Sequence, residues 1–332
     1  MAAIVFCGAA VLAGSLSTAA RSESETAPLS LQVPTWVYPV NPPAPENAPP
    51  FDSVKPLHIP DSKVAFTEAQ LNNLFEAPDW RPGSHPAMPK VVAHGNPPDV
   101  YACGFCHTPS GQGRPENASL AGLPAQYIVQ QVADFKSGAR RSPLRGVYGP
   151  TDRMIATATH VTMEDAAAAA EYFSAQQLKP RVVVLERSRV PRSHVVGWLY
   201  VAAKGGGDEP LGERLLEFAP DAERHERRDD EMRYVAYVPV GSVARGESLA
   251  HSPATPCVTC HGEGLRGVGL IPPLAGRSPT YILRELLAFK TGTRASTSGE
   301  PMRAVVGSLQ LNNMIEVAAY AGSLQPPGAV GP

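Results

Sequence analysis

Two short motifs of cysteine and histidine could carry chemistry in this chain. Cys103–His107 reads CGFCH and Cys257–His261 reads CVTCH, 154 residues further on. Two thiols on one helical turn can add to the two vinyl groups of a haem, and the imidazole that follows can ligate the iron. A redox dithiol needs no following histidine, and a zinc site would need two more ligands nearby. The spacing therefore favours two covalently attached haem c groups. The predicted attachment residues are Cys103, Cys106, Cys257 and Cys260, with His107 and His261 as proximal iron ligands.

The composition excludes some functions and bounds the architecture. The chain has 332 residues, enough for about two or three domains. A formal net charge of -2 gives no reason to expect nucleic acid as a partner. Thirty-five prolines indicate more loop than usual. Four of the five cysteines lie in the two motifs, so after removal of a leader containing Cys7 no disulfide is expected.

The N-terminus indicates export. Residues 4–16 form a short apolar run followed by small residues, which predicts a signal peptide at 1–20. No Lys or Arg precedes the run, and the run is short for a membrane span. A lipid anchor at Cys7 is the less favoured alternative. Covalent haem attachment also takes place outside the bacterial cytoplasm, so both signals predict a periplasmic location.

An internal repeat organises the rest of the chain. Residues 120–140 match 274–294 at the same offset of 154, without a gap back to the cysteines. Apolar residues recur at i, i+4 and i+7 in each copy, which predicts an amphipathic helix. Gly138 and Gly292 are expected at the ends of these two helices. A second helix closes each copy, the first capped by Thr162 and the other spanning 311–324.

The repeat also selects candidates for the distal iron ligands. Met154 lies eight residues before Thr162, and Met302 lies eight residues before the equivalent Gln310. These are the only methionines at matching positions, so we predict Met154 and Met302 as distal ligands. His94 and His160 have no histidine counterpart in the second copy and are weaker alternatives. Met163 and Met314 are expected to be core residues.

The loops after the motifs differ between the copies. In the second copy a proline carbonyl of 271–274 is placed to accept the Nδ1 hydrogen of His261, whereas the first copy has NASL there. The two haems should therefore differ in reduction potential, although the sequence does not give the sign. The basic residues of 136–153 are expected to neutralise haem propionates and to face solvent, with a docking rim for an acidic partner as the alternative.

Two segments lie outside the repeat. Residues 21–91 form a Pro-rich N-terminal extension, expected to wrap the surface and to contain a short helix at 67–75 capped by Thr67. A partner-docking arm is the alternative. Residues 181–240 contain β-branched runs split by Gly and Pro, which predict about four strands in a small β-rich insertion. The dense charges of 221–233 are expected to form a solvated face.

Each copy combines the cysteine motif with L-A-G, then with Y-I-x(6)-F-K-x-G-x-R, a methionine, and a helix that ends near a tyrosine. This pattern resembles tandem class I cytochrome c domains of the dihaem cytochrome c4 type, over about half the chain. The resemblance implies a mainly α fold and periplasmic electron carriers with His/Met ligation. It places cytochrome domains at 92–180 and 241–326. The long extension and the insertion depart from such carriers.

The sequence thus predicts a periplasmic dihaem c-type cytochrome that transfers single electrons between redox partner proteins, whose identity it does not give. One alternative is the cytochrome subunit of a periplasmic dehydrogenase, or a dihaem oxidoreductase or peroxidase. Another is a scaffold protein in which electron relay is secondary. We expect no membrane span, and attachment to a membrane through a partner stays open.

Overall fold

The computed structural model describes residues 33–43 and 54–328, together with Met1 and Glu46. The predicted signal peptide, Cys7 and part of the predicted N-terminal extension lie outside the described residues. The helices and strands below all belong to the unit that begins at Val33.

Helices build the two repeats. The α-helices are α1 (Glu68–Leu71), α2 (Lys90–Ala93), α3 (Cys103–His107), α4 (Ala125–Ser137), α5 (Gly149–His160), α6 (Met163–Ser174), α7 (Ala222–Glu226), α8 (Ser242–Ala250), α9 (Cys257–His261), α10 (Pro279–Lys290), α11 (Glu300–Gly307) and α12 (Leu311–Ser323). Short 3₁₀ turns lie at Thr35–Val37, Glu263–Leu265 and Thr297–Gly299. In the first repeat α4 packs against α5 and α6, and in the second α10 packs against α11 and α12.

The predicted amphipathic helices are confirmed as α4 and α10. Ile128 and Phe135 of α4 are buried, as are Ile282 and Phe289 of α10. The chain leaves α4 at Gly138, whose φ of 76° is easy only for glycine, and Gly292 has the same left-handed conformation just after α10. The closing helices α6 and α12 also lie where the sequence predicted them. Thr162 caps α6 by accepting the amide of Asp165 at 3.0 Å.

The strands lie mainly between the repeats. They are β1 (Pro56–Leu57), β2 (Phe66–Thr67), β3 (Val182–Glu186), β4 (Arg189–Pro191), β5 (Ser193–Val196), β6 (Leu199–Ala202), β7 (Asp208–Pro210), β8 (Leu216–Phe218) and β9 (Tyr234–Val238). A five-stranded sheet has the order β3-β9-β8-β6-β5, with β3 parallel to β9 and β6 parallel to β8. Two-stranded ribbons join β1 to β2 and β4 to β7.

The expected four strands at 181–240 are too few, since seven are observed there. The run HVVGWLYV is a hairpin rather than one strand. Gly197 and Trp198 both have positive φ, 58° and 67°, which is the backbone of a tight two-residue turn between β5 and β6. The sequence missed this turn because a tryptophan rarely takes that conformation. The paired strands β4 and β7, of three residues each, were too short to show a pattern.

The charged stretch 221–233 is not a solvated face, contrary to expectation. Asp229 is fully buried and Asp230 nearly so. Arg81 Nη1 lies 2.9 Å from Asp229 and 2.7 Å from Asp230, and Ser110 Oγ donates to Asp230 at 2.5 Å. These buried carboxylates are paired, which is what makes their burial possible. The stretch therefore ties the insertion to the extension and to the first repeat.

The extension packs on the protein, although its helix is shorter than expected. Thr67 forms the predicted cap with Gln70, but α1 ends at Leu71. The side chain of Asn73 accepts the amide of Phe75 at 3.0 Å, so a local turn replaces the last helical turn. Further upstream, Val37 is fully buried and its carbonyl accepts from Arg284 Nε at 2.7 Å.

Candidate haem sites

The two cysteine motifs form the short helices α3 and α9, which place both thiols and the imidazole on neighbouring turns. Each helix ends at an equivalent residue with positive φ, Thr108 at 61° and Gly262 at 77°. The ψ values of 152° and 167° put both residues in a region that normally requires glycine. Thr108 therefore holds a strained backbone directly after His107. Its buried hydroxyl has no partner among the described residues.

The two histidines have matching partners. His107 Nδ1 lies 2.8 Å from Ala118 O, and His261 Nδ1 lies 2.8 Å from Pro272 O. The predicted proline carbonyl partner of His261 is thus confirmed. These bonds leave Nε2 of each ring without a hydrogen-bond partner in the described part of the chain. Burial lowers the pKa of both imidazoles, which keeps the rings in the neutral, ligating form.

The four motif cysteines form no disulfide bond within the described residues. Burial raises the pKa of the Cys103 thiol to about 12. Cys260 is exposed, whereas the three others are half-buried. Within residues 33–43 and 54–328, no group of three or more His, Cys, Asp or Glu side chains could hold a metal ion, as the zinc alternative would require. Paired thiols beside an imidazole with a fixed ring orientation fit covalent haem.

Met154 and Met302 lie on α5 and α11, two helices that the sequence analysis did not predict. Both side chains are half-buried. Each helix carries a proline in its first turn, Pro150 and Pro301, where the missing amide hydrogen costs nothing. That proline was the signal that could have revealed these helices.

The alternative ligands have ordinary surroundings. His94 Nδ1 lies 2.7 Å from Glu76 at an exposed site, and His160 is exposed at the end of α5. Met314 is fully buried, as expected of a core residue, but Met163 is 44% exposed and the core prediction for it is wrong. As the first helical residue of α6, Met163 projects into solvent.

Sequence reasoning missed a polar junction between the repeats. Arg140 Nη2 donates to Tyr281 at 2.8 Å and to Glu285 at 2.7 Å. The equivalent Arg294 donates to Tyr127 at 3.0 Å and to Glu285 at 2.6 Å. The two tyrosines are themselves equivalent at the offset of 154, so each repeat reaches the other through the same residue types. Arg140 is buried, so it belongs to this junction and not to the expected solvated basic rim.

The junction departs from symmetry at one position. Glu285 corresponds to Gln131 in the first repeat, and both arginines also donate to Gln131 Oε1, at 3.0 and 2.8 Å. Burial alone would raise the pKa of Glu285, but the charges of Arg140 and Arg294 hold it below its ordinary value. A single carboxylate therefore serves both buried cations.

The two motif helices also differ in what covers them. Around α3, Ala102 donates its amide to Leu74 O of the extension at 2.9 Å. The guanidinium of Arg228, from the insertion, lies 3.9 Å from the centroid of the Phe105 ring. Segments from outside the repeat thus enclose the first motif. Around α9, the neighbouring apolar side chains Val268, Leu270 and Ile271 are exposed.

Comparison with known proteins places the chain in a family. No protein-family model matches it. It is similar to the thiosulfate dehydrogenase electron acceptor of Thiomonas intermedia, at 31% identity over 62% of this chain and 69% of that protein. It is also similar to the protein of the same name from Stutzerimonas stutzeri, at 26% identity over 67% of this chain and 79% of that one. Cytochrome c4 of Azotobacter vinelandii is 25% identical over 67% of this chain and 84% of that protein. The chain belongs to the family of dihaem cytochromes that includes cytochrome c4.

This cytochrome c4 relative is therefore an electron-transfer protein with two covalently attached haem c groups, as the repeat predicted. Its fold is cytochrome c4-like, helical with a small sheet. None of the helices in the described residues is long and apolar enough to cross a membrane.

Proposed function

We propose that this cytochrome c4 relative is an exported carrier that takes single electrons from a dehydrogenase and passes them to another redox protein. The observation that carries the proposal is the repeated arrangement of paired thiols beside a histidine whose Nδ1 faces a backbone carbonyl. The names of two relatives, each an electron acceptor of a thiosulfate dehydrogenase, support a dehydrogenase as the electron donor. The apolar run at 4–16, within the predicted signal peptide at 1–20, supports periplasmic export.

In this proposal each cytochrome domain, 92–180 and 241–326, holds one haem. The thiols of Cys103 and Cys106, and those of Cys257 and Cys260, would form the thioether links. His107 and His261 would serve as the proximal iron ligands. Met154 and Met302 would serve as the distal ligands.

When bound, haem c supplies reversible one-electron oxidation and reduction of its iron. The chain's own residues set the conditions for it. Ala118 O and Pro272 O fix the orientation of the two imidazoles and raise their basicity. A distal methionine on each iron raises its potential and closes the iron to small molecules, which favours a carrier over a peroxidase. The β-rich insertion at 181–240 and the extension cover the first site.

The ligand assignment is tested by absorption spectroscopy of the holoprotein in three variants. Met154→Ala and Met302→Ala should each remove about half of the weak red absorption band of ferric methionine-ligated haem, because each variant loses one of two such bonds. Met163→Ala is the matched control, since Met163 is exposed and should leave the band intact. A band unchanged in both test variants would overturn the ligand assignment. A purified protein without haem absorption would overturn the carrier function itself.

A further inference from the structure

The first motif helix has a half-buried cation, Arg228, beside it. Arg228 is held by two backbone carbonyls, Leu71 O at 2.8 Å and Glu226 O at 3.1 Å, and its guanidinium stacks on the ring of Phe105. It forms no ion pair with a carboxylate among the described residues. The backbone of Arg228 has a φ of 56°, which is uncommon for any residue other than glycine. The fold thus keeps a positive charge without a carboxylate in ion-pair contact against the helix that carries Cys106.

Two more arginines, Arg114 and Arg153, place their charges near the first motif helix. Arg114 is paired with Glu116, whose carboxylate lies 2.9 Å from its Nε. Arg153, next to Met154, is exposed, so solvent screens its charge. Arg228 alone combines a stacking contact with a motif side chain and the lack of a carboxylate partner within ion-pair distance among the described residues.

The carboxylates near Arg228 form no ion pair with it, and Glu116 and Glu226 act on its charge only from beyond ion-pair distance. Asp229 and Asp230, which follow it in the chain, bond to Arg81, and Asp229 also bonds to Arg224 at 2.5 Å. Asp229 and Asp230 are thus already paired with arginines of the extension and the insertion.

The second motif lacks this arrangement. The positions equivalent to Arg114 and Arg153 are Val268 and Pro301, and Val268 is exposed. The exposed charges that follow its histidine have both signs, with Glu263 two residues after His261 and 4.0 Å from His251, and Arg266 five residues after His261. The buried arginines of the junction do not distinguish the sites, because Arg140 and Arg294 occupy equivalent positions and both donate to Glu285 and Gln131.

We infer that Arg228 raises the reduction potential of the first haem above that of the second, so that a single electron resides on the first haem. This inference rests on the proposed function. Reduction adds a negative charge to the haem, and a fixed cation in a poorly solvated site stabilises the reduced state. The enclosure of the first motif acts in the same direction, because solvent stabilises the more highly charged oxidised iron. Arg228 thus determines which of the two haems is reduced first.

The test is a spectroelectrochemical titration of the full-length holoprotein, resolved into two one-electron steps. In Arg228→Gln the step at higher potential should move down, and the equilibrium constant for electron sharing between the haems should fall on the order of tenfold, or about 59 mV for a one-electron couple. The shifted step identifies the first haem, since Arg228 lies at the first motif. Arg228→Lys retains the charge and should keep most of the gap. Arg233→Gln removes an exposed arginine of the same insertion and should leave both steps in place.

A shift of the lower step alone, or of neither step, would overturn the inference while leaving the dihaem carrier intact. A protein that binds no haem would instead overturn the proposed function. If Arg228→Gln does not fold, Arg153→Gln gives a second reading, because this exposed side chain can be removed without loss of packing. It should lower the same step by a smaller amount, and an increase would contradict the inference.

Discussion

The carboxylate at the junction between the repeats can be tested by the substitution Glu285→Gln, which installs the residue found at the equivalent Gln131. Glu285 accepts from Arg140 at 2.7 Å and from Arg294 at 2.6 Å, and both arginine side chains are only 8% exposed. Removing one partner of a buried ion pair typically costs 3–5 kcal/mol. Since glutamine keeps one acceptor oxygen for one of the two arginines, we expect the free energy of unfolding to fall by about 3 kcal/mol at pH 7.

The pH dependence of this loss of stability shows whether it comes from the missing carboxylate charge or from a change in side-chain shape. The pKa of Glu285 is lowered in the folded state, and the ordinary value in an unfolded chain is about 4.3. The ionised carboxylate therefore contributes stability that is fully present above about pH 4.3 and is lost as the pH falls through the folded pKa. Glutamine does not titrate, so the gap between wild type and variant should be widest at neutral pH and should narrow in acid.

Urea unfolding followed by circular dichroism, at pH 7 and at several values below pH 4.3, measures this gap. Glu263→Gln is the matched control, because the side chain of Glu263 is 92% exposed and its loss should change stability by less than about 0.5 kcal/mol. A gap below about 1 kcal/mol at pH 7, or one that stays constant into acid, would refute the view that one carboxylate stabilises both arginines.

Two further predictions concern the backbone. Gly246→Ala should lower the free energy of unfolding by about 3 kcal/mol, because the added Cβ would lie 2.0 Å from Glu316 O where α8 crosses α12. Gly307→Ala is the control, because a Cβ added there would have no heavy atom within 4 Å. Equal urea midpoints for the two variants would contradict the close approach of α8 and α12. Thr108→Gly should raise the free energy of unfolding by about 1 kcal/mol, because relief of backbone strain outweighs the added freedom of the unfolded chain. A lower urea midpoint would show that Thr108 is not strained.

The sequence was sufficient for features that depend on local spacing or on the repeat. The helices α4 and α10, the cap at Thr162 and the carbonyl partner of His261 follow from apolar periodicity, from short side chains and from the loop after the motif. The repeat also aligned Tyr127 with Tyr281 and Arg140 with Arg294. It could not show that these residues meet, because contact between the repeats depends on how the two units pack and not on the order of residues within either.

The features that were missed have non-local causes. The charges of 221–233 were expected to face water because charged residues seldom have enough partners to be buried. Their partners lie far away in the chain: Arg81 for Asp229, and Ser110 for Asp230. The turn at Trp198 was missed because its backbone is unusual for that residue and is held by tertiary contacts, including the bond from its amide to Asn41 at 2.8 Å.

The same non-local contacts explain why the two haem sites cannot be equivalent. In the second repeat the nine-residue α8 packs across α12, whereas the first repeat has only the single turn α2 in that place. The space beside the first motif is filled from outside the repeat, by Leu74 and Ala77 of the extension and by Arg228 of the insertion. A shared scaffold therefore accounts for two haems. The inferred difference in their potentials arises from Arg228, which stacks on a side chain of the first motif helix. The insertion also contacts the second repeat, through Glu217 and Ser278, but among the described residues not through an equivalent arginine on its motif helix. Under this inference, loss of Arg228 should change the potential of the first haem more than that of the second.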